Sequence, residues 1–234
     1  MTSSRLPGKV LTPVGGRPML AQQLRRLGRC QRADEIVVAT TTNATDDPVV
    51  ALVEAEGLRW FRGSEADVLA RYVGAAREAG AEIVVRITAD CPLIDPAETD
   101  RVIAALEEHA AECDYAANVV RRTLPFGLDS EALFRDTLER VDRLGRSAPA
   151  REHVTHFILR EHPELFLVQS VEGEEDHSSL RWTVDTADDL TLVQRLYEDL
   201  GLGERSLGYR DIVDHVTAHP ELLAINAHVR QKAF

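Results

Sequence analysis

The chain has 234 residues, 44% of them hydrophobic, with 27 Lys+Arg against 39 Asp+Glu and a net charge of −12. That is enough apolar content for one domain, or a domain with an arm, and the acidic balance without a basic stripe argues against a nucleic-acid or membrane-surface protein. Cys30, Cys91 and Cys113 form no CxxC pair, and neither a signal peptide nor an 18-residue apolar run occurs, which reads as a cytoplasmic protein with reduced thiols.

The N-terminal segment Ser3-Ser4-Arg5-Leu6-Pro7-Gly8-Lys9 is a polar loop. Hydroxyls, two cations and a glycine that lets backbone amides approach are what a triphosphate requires. Lys9 is one of only two lysines, the other being Lys232. Arginine fills nearly every other cationic position, so a compact ammonium here points to a role a guanidinium would fill badly.

Pro18 to about Cys30 then reads as a helix with Leu20, Leu24 and Leu27 on one stripe. Glu35–Thr40 reads as a buried strand and Asp46–Glu56 as a helix. A short strand through Trp60 and Phe61, a helix from Ala66 to Ala79, a strand Ile83–Ile87 and a helix Asp95–His109 follow. This alternation predicts a parallel sheet with helices on both faces and ligands beyond the strand C-termini. From Asn118 the rhythm changes. A loop with Arg121, Arg122, Pro125 and Gly127 leads to a helix through Phe134 and Leu138, and another begins near Arg151. A strand Leu165–Val171 and an acidic loop Glu172–Asp176 come next, so residues 118–180 read as an arm inserted on the sheet of a single 1–234 domain. A strand Leu180–Val184, a helix Ala187–Leu200 and a helical C-terminus punctuated by Pro220 complete the chain.

Two aspartates occupy matching places. Asp90 follows the strand Ile83–Ile87 and Asp185 follows the strand Leu180–Val184, which brings both carboxylates to the ligand-binding edge of the sheet. Two hard oxygen donors there suit Mg²⁺, which keeps water and phosphate oxygens in the rest of its shell. Either aspartate alone would equally well cap the helix that follows it.

These motifs resemble the sugar-acid cytidylyltransferases, which include the CMP-ketodeoxyoctonate and CMP-acylneuraminate synthetases. The likeness is nearest to the spore coat polysaccharide biosynthesis protein F branch. It rests on Ser4–Leu11 with Gly16–Leu20, Ala39–Asn43, Phe61–Leu69, Arg86–Ile94, Gly127–Glu131, Arg151–Thr155, Thr183–Thr186 and Ile225–Lys232, in order along nearly the whole chain. The resemblance implies a Rossmann-like α/β nucleotidyltransferase (GT-A-like) with a mixed sheet, transferring CMP from CTP to a sugar with release of pyrophosphate. By the same likeness Ser3, Ser4, Arg5, Gly8 and Lys9 hold the triphosphate, with Arg5 and Lys9 catalytic. Asp90 and Asp185 hold Mg²⁺. Arg62, Ser64 and Asp67 line the base pocket, and Asn118, Gly127, Asp129, Arg151, Glu152 and His153 face the acceptor sugar. The related synthetases imply a homodimer built on the arm. Taken by themselves, Arg62 and Ser64 could cap the helix near Ala66, and Arg151-Glu152-His153 reads as a solvated helix face.

One departure stands out. The family begins with an apolar strand and an arginine ahead of the loop, whereas only Met1 and Thr2 precede Ser3. This points first to a start assigned at an internal methionine, with a trimmed chain or a fold that does without the strand as alternatives, and predicts a gap or a substitute strand in the sheet. Two alternatives stay open: a nucleotidyltransferase for another base or sugar, and a weakly catalytic sugar-nucleotide-binding protein.

Overall fold

The computed structural model describes residues 6–230, so the expectations for Ser3, Ser4, Arg5 and Lys232 lie outside the described residues. A tight antiparallel hairpin of β1 (Pro13–Val14) and β2 (Arg17–Pro18) turns through Gly15 and Gly16, both at positive φ. Helix α1 (Met19–Leu27) follows directly from Pro18. Its Leu20 and Leu24 pack with Val49 and Val53 of α2 (Asp47–Ala55). This α2 connects β3 (Val37–Thr41) to β4 (Arg59–Gly63), which pairs parallel with it as a βαβ unit. Helix α3 (Val68–Ala79) is capped by Asp67, whose side chain accepts from the Ala70 amide. Helix α4 (Pro96–Glu108) is capped by Asp95, and proline follows as its first residue.

A four-stranded sheet runs in the order β5 (Ile83–Arg86), β7 (Glu131–Phe134), β6 (Tyr115–Ala117), β8 (Val168–Ser170). The β7 strand is antiparallel to both β5 and β6, and β8 is parallel to β6. The sheet is therefore mixed. Among the described residues no ladder joins it to the β3–β4 pair, so the sheet is interrupted between them. Alternate residues of each strand enter different cores, as the two-residue period of a strand requires. Val84, Tyr115, Ala117 and Leu133 pack with α3, α5 (Arg135–Leu144) and α6 (Ala148–His153). Ile83, Val85, Ala116 and Ala132 pack with Val102 and Leu106 of α4. Helices thus cover both faces. The C-terminal helices α7 (Ala187–Leu200), α8 (Tyr209–Ala218) and α9 (Pro220–Asn226) close a further core around Trp182, Val184 and Leu93.

Three expectations are corrected. The sheet is not parallel as the alternation predicts, because β7 enters antiparallel between β5 and β6. Glu131–Phe134 is a strand rather than the start of a helix: Phe134 ends β7 and is the N-cap of α5. Hydrogen-bonded neighbours on both sides decide the matter over local helical spacing. Leu180–Val184 is not a strand but a loop with one bridge, Phe126 to Arg181. Its amides are engaged elsewhere: Trp182 and Thr183 donate to Phe126 O, and Val184 donates to Asp90 O.

That loop depends on Gly127. Its φ is +103°, and a Cβ there would lie 2.6 Å from the Thr183 nitrogen. Both the backbone conformation and the clash exclude a side chain. Gly127→Ala is expected to cost about 1–3 kcal/mol in urea denaturation. An unchanged midpoint would contradict this role.

Candidate active site

Lys9 opens a single 3₁₀ turn, Lys9–Leu11, behind Gly8 at φ 71°. Its ammonium donates to Asp90 Oδ2 at 3.0 Å, Asp185 Oδ1 at 3.0 Å and the Val184 carbonyl at 2.6 Å. The side chains are 11%, 25% and 16% exposed for Lys9, Asp90 and Asp185, so the cluster is half-closed to water but reachable. Burial alone would lower the Lys9 pKa, but the charges of Asp90 and Asp185 outweigh it and raise the value.

Each carboxylate is also held from behind. Thr88 Oγ1 donates to Asp90 Oδ1 at 2.6 Å. The segments carrying the two aspartates are stitched together by the Val184 amide, 2.8 Å from Asp90 O, and by the Thr183 hydroxyl. Arg181 Nη2 donates to Asp185 Oδ2 at 2.9 Å. Asp189 in turn anchors Arg181, accepting from Nε at 2.9 Å and Nη2 at 3.1 Å. It also accepts from the backbone amides of Asp185 and Thr186, each at 3.0 Å. Asn226 of α9 donates to Asp189 Oδ1 and to the Arg181 carbonyl. Neither Asp90 nor Asp185 caps a helix, because Asp95 caps α4 and Thr186 caps α7.

Arg181, Asp189, Asn226 and Thr88 were not legible as site residues. The only local signals were Arg181 standing four residues before Asp185 and the Thr186-x-x-Asp189 spacing of a capping box.

For Asp189, burial would raise the pKa, but hydrogen bonds from Arg181, Asn226 and the Asp185 amide leave it lowered from 3.8. A carboxyl depressed on folding contributes stability above its unfolded pKa of about 4, lost as pH falls through the folded value. Asp189→Asn is therefore expected to lower the urea midpoint near neutral pH, with the deficit against the unmodified chain shrinking as pH falls below about 4. A deficit that stays constant across that range would contradict the assignment.

The remaining candidates divide. Arg62 ties the end of β4 to the loop after β3, donating to Thr41 O at 2.7 Å, Asn43 O at 2.6 Å and Asp47 Oδ1 at 2.7 Å. Ser64 Oγ accepts from the Asp67 amide, so Asp67 rather than Arg62 or Ser64 caps α3. Asp67 and Arg151 meet in one bidentate pair at 2.9 and 2.6 Å, and Arg151 also reaches Asp142. Arg122 and Asp129 form a second bidentate pair at 2.6 and 2.8 Å, the guanidinium lying over the Phe126 ring. Asn118 is buried and braces the segment after Gly127, donating to Leu128 O and accepting from the Ser130 amide. Glu152 is exposed and His153 is half-buried, with its pKa lowered chiefly by desolvation.

The donor set fits a divalent cation. Asp90 Oδ2 and Asp185 Oδ1 already converge on one positive centre. Among the described residues there is no cluster of three or more His, Cys, Asp and Glu that could hold a metal ion. A cation at this place would complete its shell from water and substrate oxygens, which is the habit of Mg²⁺ rather than of a closed structural metal.

Comparison with known proteins gives a consistent picture. The cytidylyltransferase family profile matches residues 1–199. The chain is 34% identical over 208 residues to the spore coat polysaccharide biosynthesis protein SpsF of Bacillus subtilis, covering 86% of this chain and 84% of that protein. It is 37% identical over 111 residues to the 3-deoxy-manno-octulosonate cytidylyltransferase of Geobacter sulfurreducens, covering 47% and 43% respectively. A solved cytidylyltransferase from Leptospira borgpetersenii superposes with a TM-score of 0.90 at 29% identity, over 100% of this chain and 95% of that one.

Proposed function

Because this chain belongs to the cytidylyltransferase family, we propose that it transfers CMP from CTP to a sugar acid, releasing pyrophosphate, in the cytoplasmic supply of a surface polysaccharide. The observation that carries this reading is the convergence of Lys9, Asp90 and Asp185 at one point. A sugar-acid acceptor is favoured by the likeness to a 3-deoxy-manno-octulosonate cytidylyltransferase, and a polysaccharide role by the likeness to SpsF.

In this reaction a hydroxyl oxygen of the acceptor attacks the α-phosphorus. The bond from that phosphorus to the αβ-bridging oxygen breaks, the pyrophosphate carries away the electron pair, and the hydroxyl proton passes to water or a nearby base. Positioning and charge stabilisation dominate such transfers, so no covalent nucleophile is needed. Asp90 and Asp185 would hold Mg²⁺, which when bound supplies positive charge beside the phosphate oxygens. Lys9 would add an ammonium to the leaving phosphates, with Gly8 and the Ser3–Arg5 segment completing the grip. Arg62, Ser64 and Asp67 shape the base side, Arg62 holding the loop after β3 and Ser64 accepting from the Asp67 amide. On the acceptor side, Asn118 and Gly127 set the backbone, Arg151 steadies α6 against Asp67, and Asp129, Glu152 and His153 offer polar groups. A homodimer through residues 118–180 belongs to the same reading, with Leu165, Leu167 and Val168 exposed on that arm.

The test is pyrophosphate release with CTP, UTP, GTP and dTTP, each against a panel of sugar acids and neutral sugars. Release confined to CTP with a sugar acid is expected. Equal release with another nucleotide, or with neutral sugars only, would overturn the reading.

A further inference from the structure

The Lys9 ammonium carries three hydrogens, and three oxygens receive them: Asp90 Oδ2, Asp185 Oδ1 and the Val184 carbonyl. A lysine ammonium has no further donor to give. In this conformation Lys9 therefore cannot also grip a phosphate. The same geometry concerns the cation. Asp90 Oδ1 is turned to Thr88 and Asp185 Oδ2 to Arg181, so the oxygens that face each other are those already taken by Lys9. Two carboxylates that converge on one point stay ionised together only with a positive charge between them, and a divalent cation cannot share that point with an ammonium.

We propose that Lys9 is the positioning residue that holds Asp90 and Asp185 facing each other in the cation-free protein and gives them up to a divalent cation only when a nucleoside triphosphate is there to receive its ammonium. This rests on the reading that Asp90 and Asp185 are the cation's ligands. The physical reason is charge balance in a half-closed site. A cation entering alone would displace the ammonium from Asp90 and Asp185, the carboxylates it pairs with among the described residues, and leave its charge uncompensated. A triphosphate supplies that anion. Cation and nucleotide then bind as a coupled pair, and linkage requires each to raise the other's affinity by the same factor.

The chain's composition makes this measurable. With only two lysines, Lys9 and Lys232, labelling lysine with ¹⁵N gives one Nζ resonance for each. Adding Mg²⁺ with a non-hydrolysable CTP analogue is expected to shift the Lys9 resonance, whereas Mg²⁺ alone at the same concentration leaves it in place. A Lys9 resonance that does not move when both have bound would overturn the inference.

Mn²⁺ titration followed by electron paramagnetic resonance supplies the second arm. Without nucleotide, Lys9→Met is expected to bind Mn²⁺ at least about tenfold more tightly than the unmodified chain, within the range usual for coupled sites. Its thermal midpoint, lowered in EDTA, is expected to recover with Mn²⁺, because the ion replaces the missing ammonium. Equal or weaker Mn²⁺ binding by Lys9→Met would overturn the inference. If that variant does not fold, the unmodified chain decides: Mn²⁺ affinity that is the same with and without the analogue defeats the inference. Asp90→Asn separates the two levels. Loss of nucleotide-dependent Mn²⁺ binding in Asp90→Asn with no gain in Lys9→Met defeats the Lys9 role alone. Undiminished binding in Asp90→Asn defeats the ligand assignment and the Lys9 role together.

Discussion

Replacing Asp185 by Asn is expected to slow CMP transfer by on the order of a hundred- to a thousandfold while leaving the fold intact. The change is nearly isosteric, and an amide oxygen can still accept from Arg181. What disappears is one of the two charges that Lys9 bridges and, on the proposed reading, one of the two ligands of the cation. Steady-state pyrophosphate release, with thermal melting as the control for folding, measures both sides. A loss in the rate constant with a near-native midpoint fits the assignment. Retention of most of the activity would remove Asp185 from the reaction.

The largest stability effect is expected from Glu131→Leu. Arg86 and Glu131 are register partners across β5 and β7, and their side chains form an ion pair with 16% and 5% exposure. Tyr115 and Thr155 both donate hydroxyls to Glu131 Oε2, at 2.6 and 2.5 Å. Burial would lower the Arg86 pKa, but the Glu131 charge raises it above the ordinary arginine value. Leucine would leave this guanidinium buried without a counter-charge and two hydroxyls without their acceptor. The cost is expected to be about 3–5 kcal/mol in urea denaturation. The paired replacement Arg86→Met with Glu131→Leu is expected to recover a substantial part of it, since an apolar pair no longer strands a charge. A single variant within about 1 kcal/mol of the unmodified chain would mean that water reaches Arg86 freely.

Much of this architecture was legible because it is local. Leu20 and Leu24 mark the buried stripe of α1, and Asp95 followed by Pro96 marks the start of α4. Asp90 and Asp185 could be singled out because each stands just beyond an apolar run. The run before Asp185, however, is a loop whose amides bind Phe126 and Asp90 rather than a strand. Asp185 does meet Asp90 at Lys9, but from a loop rather than from the end of a strand. Strand β7 escaped notice because Glu-Ala-Leu-Phe lacks the β-branched run of β5, and its pairing with β5 and β6 cannot be read from those residues. The supports of the site are long-range in the same way. Asp67 meets Arg151 across 84 residues, and Asn226 reaches Asp189 across 37. Such residues look like ordinary surface polar groups until the fold brings them together.

The most direct test of the Lys9–Asp90–Asp185 site is a crystal structure of this chain with Mg²⁺ and a non-hydrolysable CTP analogue. The expected result is a cation about 2.0–2.1 Å from one oxygen of Asp90 and one of Asp185, phosphate oxygens completing its shell, and the Lys9 ammonium moved off the carboxylates onto the triphosphate. A triphosphate bound away from Asp90 and Asp185, with Lys9 still bridging them, would contradict it.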